Sequence, residues 1–308
     1  MLALVAVSSG GASISLGDIA KFFTFGEIDE TKQLILLQMR LPRLVMGILV
    51  GALLATSGVV VQSVFLNPLA DPYIIGIASA ATFGAVIAYL LGLSDVFYGI
   101  FAFLSASALS IVIFKLAAHT RSISTLLIVG IAVSSFLGAF TSFAVYLIGE
   151  DSFRITAWMM GYLGGANWQK IALLLPPLLF CMAYFYAKRH ELNIILNGDE
   201  EAKSLGLNVE KSKKSLLIVS SLIIGFSVAF TGMIGFVGLI IPHTLRMALH
   251  TASNAVLIPA SALTGGVFLV FCDVIAKNAL SPVEIPIGVV TSFFGAPFFL
   301  YLAFRKHA

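Results

Sequence analysis

Charge is what this chain has least of. Only 11% of its 308 residues are Asp, Glu, Lys or Arg, while 59% are hydrophobic and the mean hydropathy is +1.03. A soluble domain of this length needs a far more polar surface, so that class is excluded. Cysteine is nearly absent: Cys181 and Cys272 both sit inside apolar segments and read as small hydrophobic residues, which excludes a disulfide framework. No GxxxxGK[ST] occurs, so a P-loop nucleotide site is excluded, and there is neither an HExxH nor a Cys/His cluster of zinc-binding type. The sequence therefore offers no catalytic residue, metal site or cofactor site. The formal net charge of +3 is small and says nothing about nucleic acid, and no nucleic-acid partner is expected. Ionisable residues near mid-membrane are also scarce. A carrier driven by protons or sodium usually shows one there, so the coupling energy is expected to arrive from elsewhere. An ion-coupled secondary transporter stands as the alternative.

What remains is apolar length. Continuous runs occur at about 42–66, 74–92, 96–117, 124–148, 168–187, 215–231, 234–249, 255–276 and 285–304. They do not alternate as barrel strands would, so the fold class is an all-α polytopic membrane protein. The opening MLALVAVSSGG is too short for a span that needs roughly 20 residues, and it lacks the basic flank of a signal peptide. It reads as the end of a truncated first helix, which gives ten transmembrane helices in one domain, 1–308. Residues 12–40 read as a polar loop in which LGDIAKFF forms a short surface helix. Small residues four apart (Gly47, Gly51, Ala55; Gly76, Ala80, Gly84, Ala88; Gly288, Ser292, Ala296) predict close helix–helix seams. Pro68, Pro72, Pro176, Pro177, Pro242, Pro282 and Pro286 suggest broken or ending helices. TGMIGFVG at 231–238 reads as a tight outer connection between two helices.

The basic clusters Lys188-Arg189-His190, Lys211-Lys213-Lys214 and Arg305-Lys306-His307 fall on the cytoplasmic side by the positive-inside rule. Counting crossings back from residue 188 also places His119 and Arg121 inside. The inner side then holds 11 Lys or Arg against 6 Asp or Glu, and the outer side 7 against 9. Arg40 and Arg43 fall outside and break the local rule, joined by Lys277 at the outer end of its helix. Guanidinium forks suit carboxylates, so a docking patch for an acidic partner competes with simple headgroup anchoring. Asp273, one turn before Lys277, is placed for a local ion pair. On the inner side, 197–211 holds NGDEEAKSLGLN, with Asn197 or Asp199 as a cap, acids in the first turn and a glycine stop at Gly206. That pattern predicts a short amphipathic helix presented to the cytoplasm, either an ordinary solvated loop helix or a coupling helix that seats in a cleft of a separate ATPase subunit.

Several long stretches resemble one family in the same order: RLPR followed by VGALLATSGVVVQSVFLNPLADPYIIGI, then WMMGYLGGANW, GDEEAKSLGLNV, GMIGFVGLIIPHTLR and VEIPIGVVTSFFGAPFFLYLAFR. The chain is similar to the FecCD-type permease subunits of ABC importers for iron-siderophores, haem and vitamin B12. The resemblance implies a vitamin B12 importer permease-like fold in a bacterial or archaeal inner membrane, with both termini cytoplasmic. It implies two permease copies as a homodimer, two cytoplasmic ATP-binding subunits and an extracytoplasmic substrate-binding protein. It further implies binding-protein docking at Arg40, Arg43 and Lys277, and ATPase coupling through Asp199, Glu200, Ala202, Leu205 and Gly206. The cytoplasmic gate would lie at Leu69, Ile123 and Ser124. The permease itself would do no covalent chemistry.

Overall fold

The computed structural model describes all residues except 11–13, 25, 27, 74, 75, 119–122 and 306–308. His119, Arg121, Lys306 and His307 of the charge count therefore lie outside the described residues. The described part of the chain is helical: α1 (Leu2–Ser8), α2 (Leu16–Phe23), α3 (Glu30–Ile35), α4 (Leu41–Val64), α5 (Ile77–Leu90), α6 (Asp95–Ala118), α7 (Ile123–Ile148), α8 (Phe153–Met159), α9 (Trp168–Ala187), α10 (Arg189–Ile195), α11 (Asp199–Ser204), α12 (Val209–Thr231), α13 (Val237–Leu249), α14 (Asn254–Asn278) and α15 (Ile287–Arg305). Each of the nine apolar runs is realised as one of these helices. Among the described residues, six helical runs are long and apolar enough to cross a bilayer: Glu30–Val64, Val96–Ile113, Ile128–Met159, Trp168–Ala187, Val209–Thr231 and Asn254–Asn278. Three further apolar helices, Ile77–Leu90, Val237–Leu249 and Ile287–Tyr301, are shorter.

α4 is the axis of the bundle. From Met46 to Val64 every residue but Ile48 is buried, as expected for a helix that is apolar on all sides. It packs against α9, α12, α13 and α14. Glycine makes the closest of these contacts possible: a Cβ on Gly51 would collide with the carbonyl of Gly265 in α14, and one on Gly58 with that of Gly238 in α13. Gly84 meets the Phe101 carbonyl of α6 in the same way. Two of the small-residue stripes are thus seams. The third is mixed: Gly288 packs on the Met160 carbonyl, and with Ser292 and Ala296 it lines a cavity.

The polar stretch before α4 is more ordered than a loop. Ser15 caps α2 and forms a capping box with Asp18, and Lys32 reaches Asp18 at 2.9 Å. The Lys32 and Ser15 hydrogen bonds hold the Asp18 carboxyl at about 2. α3 passes through a wide π-helical turn, Leu36–Arg40, directly into α4, so the second apolar helix starts well before residue 42. The prolines divide into two sets. Pro68 and Pro72 lie between α4 and α5, and Pro282 and Pro286 between α14 and α15, as expected of ending helices. Pro176, Pro177 and Pro242 sit inside α9 and α13, which continue through them.

Candidate docking, transport and coupling sites

Four charged side chains meet at the N-terminal end of α4. Arg43 Nε donates to Asp273 Oδ1 at 2.9 Å, its Nη2 lies 2.9 Å from the same oxygen, and its Nη1 reaches Glu284 Oε1 at 2.9 Å. Asp273 also takes Lys277 Nζ at 3.0 Å, the i, i+4 pair expected from the sequence. Lys277 continues to the carbonyl of Ala6 at 3.1 Å. Arg40 donates to the carbonyls of Val7 and Ser8 at 2.5 and 2.7 Å. Two cations therefore cap the C-terminal carbonyls of α1, where the helix dipole favours positive charge. Arg40 and Lys277 are buried, and Arg43 is nearly so. The three residues expected to form an exposed rim are thus clustered at one end of the bundle, each already engaged within the chain.

From that end α4 runs inward for twenty residues to Ser63, a distance of about 30 Å, close to the thickness of a bilayer's hydrocarbon core. There Ser63 donates to Asn254 Oδ1 at 3.1 Å, and Asn254 donates through N–H and Nδ2 to Asn193 Oδ1 at 2.8 and 2.9 Å. These bonds join α4, α10 and α14. α11 lies at this opposite end. Lys213 Nζ meets Asp199 at 2.5 Å and ties α11 to α12. Ala202 is buried beneath α11, while Glu200 and Leu205 point away from the protein, the Leu205 side being 62% exposed. Gly206 ends the helix at φ +84, the expected stop. The N-cap is Gly198, not Asn197 or Asp199, and no side chain caps the helix.

Between the two ends the backbone leaves the helical pattern twice. Residues 232–236 are non-helical, with Gly232 and Phe236 at φ +67. They form an extended connection and not the tight turn read from TGMIGFVG. Gly238 packs on Gly58, fifteen residues along α4 from Arg43 and about 22 Å deep. The α4–α5 connection meets this segment from the other side: Pro72 packs on Gly238, and Tyr73 Oη donates to the Ile234 carbonyl at 3.3 Å. α5 and α13, each only about 20 Å long, start where these segments meet. Irregular backbone at such depth is tolerated where protein or a cavity covers it. Both apply here. A cavity of about 720 Å³ is lined by Met160, Met233, Gly235, Phe236, Gly288, Val289, Ser292, Phe293, Ala296 and Pro297. Ser292 contributes its one side-chain hydroxyl, so the wall holds no side chain able to ligate a metal strongly or carry charge.

Leu69 of the expected gate is partly buried in the α4–α5 connection, its N–H bonded to Asn67 Oδ1 at 2.9 Å. Ile123 and Ser124 start α7, and their side chains lie outside the described residues. Two polar groups near this connection escaped the sequence reading. Arg246 of α13 donates to Gln62 Oε1, and Gln62 Nε2 donates to the carbonyls of Gly238 and Leu239 at 3.4 and 3.2 Å. Asp71 accepts the Tyr73 N–H at 2.6 Å, and burial pushes its carboxyl up to about 6. The signal was present in the acid of NPLADP and the arginine of PHTLR, charges beside apolar runs.

Residues 1–305 match the FecCD transport family. The chain belongs to that family. FecCD relatives include the cobalamin import system permease protein BtuC of Halobacterium salinarum, 43% identical over 280 residues, which are 89% of this chain and 74% of that protein. The hemin transport system permease protein HmuU of Yersinia pestis is 35% identical over 320 residues, 99% of this chain and 92% of its own. A solved metal-chelate type ABC transporter in an inward-facing conformation superposes with a TM-score of 0.87 at 32% identity, covering 99% of this chain and 95% of that one. This FecCD chain is a multi-pass membrane permease of the ABC importer class.

Proposed function

We propose that the chain forms the membrane path of a binding-protein-dependent ABC importer whose cargo is a metal-containing organic molecule of the cobalamin, haem or iron-chelate class. Two copies pair as a homodimer, with two ATP-binding subunits at the α11 end and a substrate-binding protein at the Arg43 end. The reading is carried by one observation. An apolar cavity of about 720 Å³ lies in the bundle, walled by the non-helical 232–236 segment and one face of α15. A bulky cargo passes such a wall without being gripped, and selection rests with the binding protein. Threading the nine apolar helices alternately from the outer end of α4 puts the α11 end and the end of α15 inside, in keeping with the ten-helix topology that the resemblance implies. Asp199, Glu200, Ala202, Leu205 and Gly206 form the coupling segment. Its buried Ala202 anchors it to the permease, and its exposed Glu200 and Leu205 face the ATPase. Leu69, Ile123 and Ser124 form the inner gate, and Arg40, Arg43 and Lys277 the outer docking site. The permease performs no hydrolysis. It holds two states whose balance its partners shift.

The test is reconstitution of permease, ATPase and binding protein in proteoliposomes, with labelled cobalamin, haemin or a ferric siderophore outside. Accumulation that requires internal ATP and all three components is expected. Accumulation that persists without the ATPase and collapses with an ionophore would overturn the reading in favour of an ion-coupled carrier.

A further inference from the structure

Arg43 has no free edge. Its Nε and Nη2 are taken by Asp273, and its Nη1 by Glu284. The two acids differ sharply. The Asp273 side chain is 5% exposed and also holds Lys277, so removing it would strand two cations. Glu284 is 35% exposed and has one ion-pair partner among the described residues, Arg43. Its place in the chain is equally informative. Glu284 lies in the connection from α14 to α15, one residue before the Ile285 N–H that bonds back to Ala276 at 3.0 Å. After it, Ile287 and Gly288 donate to the carbonyls of Gly161 and Met160, each at 3.1 Å. Gly288, Val289 and Ser292 then line the cavity.

We propose that Glu284 is an internal stand-in for the binding protein's carboxylate. Docking exchanges one carboxylate for another on Arg43 Nη1, releases the 279–286 connection, and so loosens the end of α15 that walls the cavity. The inference rests on the reading of Arg43 as a docking residue. The exchange is close to balanced, because donor, geometry and charge type are the same before and after it. A balanced exchange suits a partner that must leave again after delivery. It also converts binding at the surface into a change in the cavity wall, which supplies the differential contact a conformational shift requires.

The experiment compares wild type with Glu284→Gln, a change at a half-exposed side chain that keeps its size. Hydrogen exchange of residues 279–290 is measured with and without the binding protein that supports uptake in the reconstitution, and the affinity of that protein is measured alongside. In wild type, docking is expected to speed exchange in this segment. In Glu284→Gln, exchange is already fast without the partner, and the partner binds at least about fivefold more tightly because no internal carboxylate competes. Wild-type exchange and unchanged affinity in Glu284→Gln overturn the proposal. Arg43→Lys, which keeps the charge but loses the fork, separates the two levels. If Arg43→Lys weakens docking while Glu284→Gln does nothing, only the carboxylate exchange falls. If neither changes affinity, the docking reading falls and takes the exchange with it.

Discussion

The two ends of the bundle carry charge in opposite ways. At the Arg43 end, cations are buried against α1 and against acids more than two hundred residues away in sequence. At the α11 end, Glu200 is almost fully exposed and Leu205 stands clear of the protein, with the Asp199–Lys213 pair as the nearby anchor. One end spends its charges on holding the fold, and the other presents them. Substitutions at the first should therefore be felt in stability before function, and at the second in function alone.

The sharpest test is Arg43→Ala. It leaves Asp273 buried with half its partners, and a loss of about 3–5 kcal/mol is expected, read as a large drop in thermal midpoint and in monodisperse yield from detergent. Arg40→Ala should cost about 2 kcal/mol by uncapping α1, with hydrogen exchange rising in residues 2–8 while α4 and α14 keep their protection. Asp71 tests whether the contrast holds, since it is a titrating acid near the presenting end with no ion pair among the described residues. Its carboxyl is raised to about 6 in the fold. At this one group the native state binds more protons than the unfolded chain between pH 4 and 6, so the Asp71 contribution to stability should fall as pH rises through that window and then level off. Asp71→Asn should remove the slope and gain about 1 kcal/mol at pH 7.5, seen by thermal unfolding across pH. The smallest change in stability belongs to Glu200→Gln with Leu205→Ser, within about 0.5 kcal/mol. The same pair should lower ATPase co-purification about tenfold. A matching loss of stability would erase the contrast between the ends.

How much of this was legible in the sequence follows from the range of each interaction. The nine apolar helices were readable because hydropathy is local. The coupling helix was readable from its acidic start and from Gly206, although the cap itself fell on Gly198. The helix through residues 30–40 was not, because Glu30, Thr31, Lys32 and Gln33 look like loop residues until the π turn joins them to α4. TGMIGFVG was misread as a tight turn because a glycine-rich turn and a glycine-rich segment re-entering a bundle share one composition. What covers them decides, and Pro72 and Gly58 are remote in sequence. The same limit applies to Gly288, Ser292 and Ala296, whose spacing suits a helix–helix seam, whereas Gly288 packs on the Met160 carbonyl and all three line a cavity. It applies most strongly to Arg43, whose oddity was visible while Asp273 and Glu284 as its partners were not.

The wide turn at Leu36–Arg40 works as a steering joint. The N–H of Leu41 bonds back to the carbonyl of Leu36, one residue further than in an α-helix. That added residue rotates everything upstream by about 100° relative to an unbroken helix. The azimuth so set is the one at which Lys32 finds Asp18 and the Leu37 carbonyl accepts the Trp168 indole N–H at 2.7 Å. Excising a single residue between Leu37 and Met39 would swing the α3 arm away from both, while most point changes there would leave its heading intact.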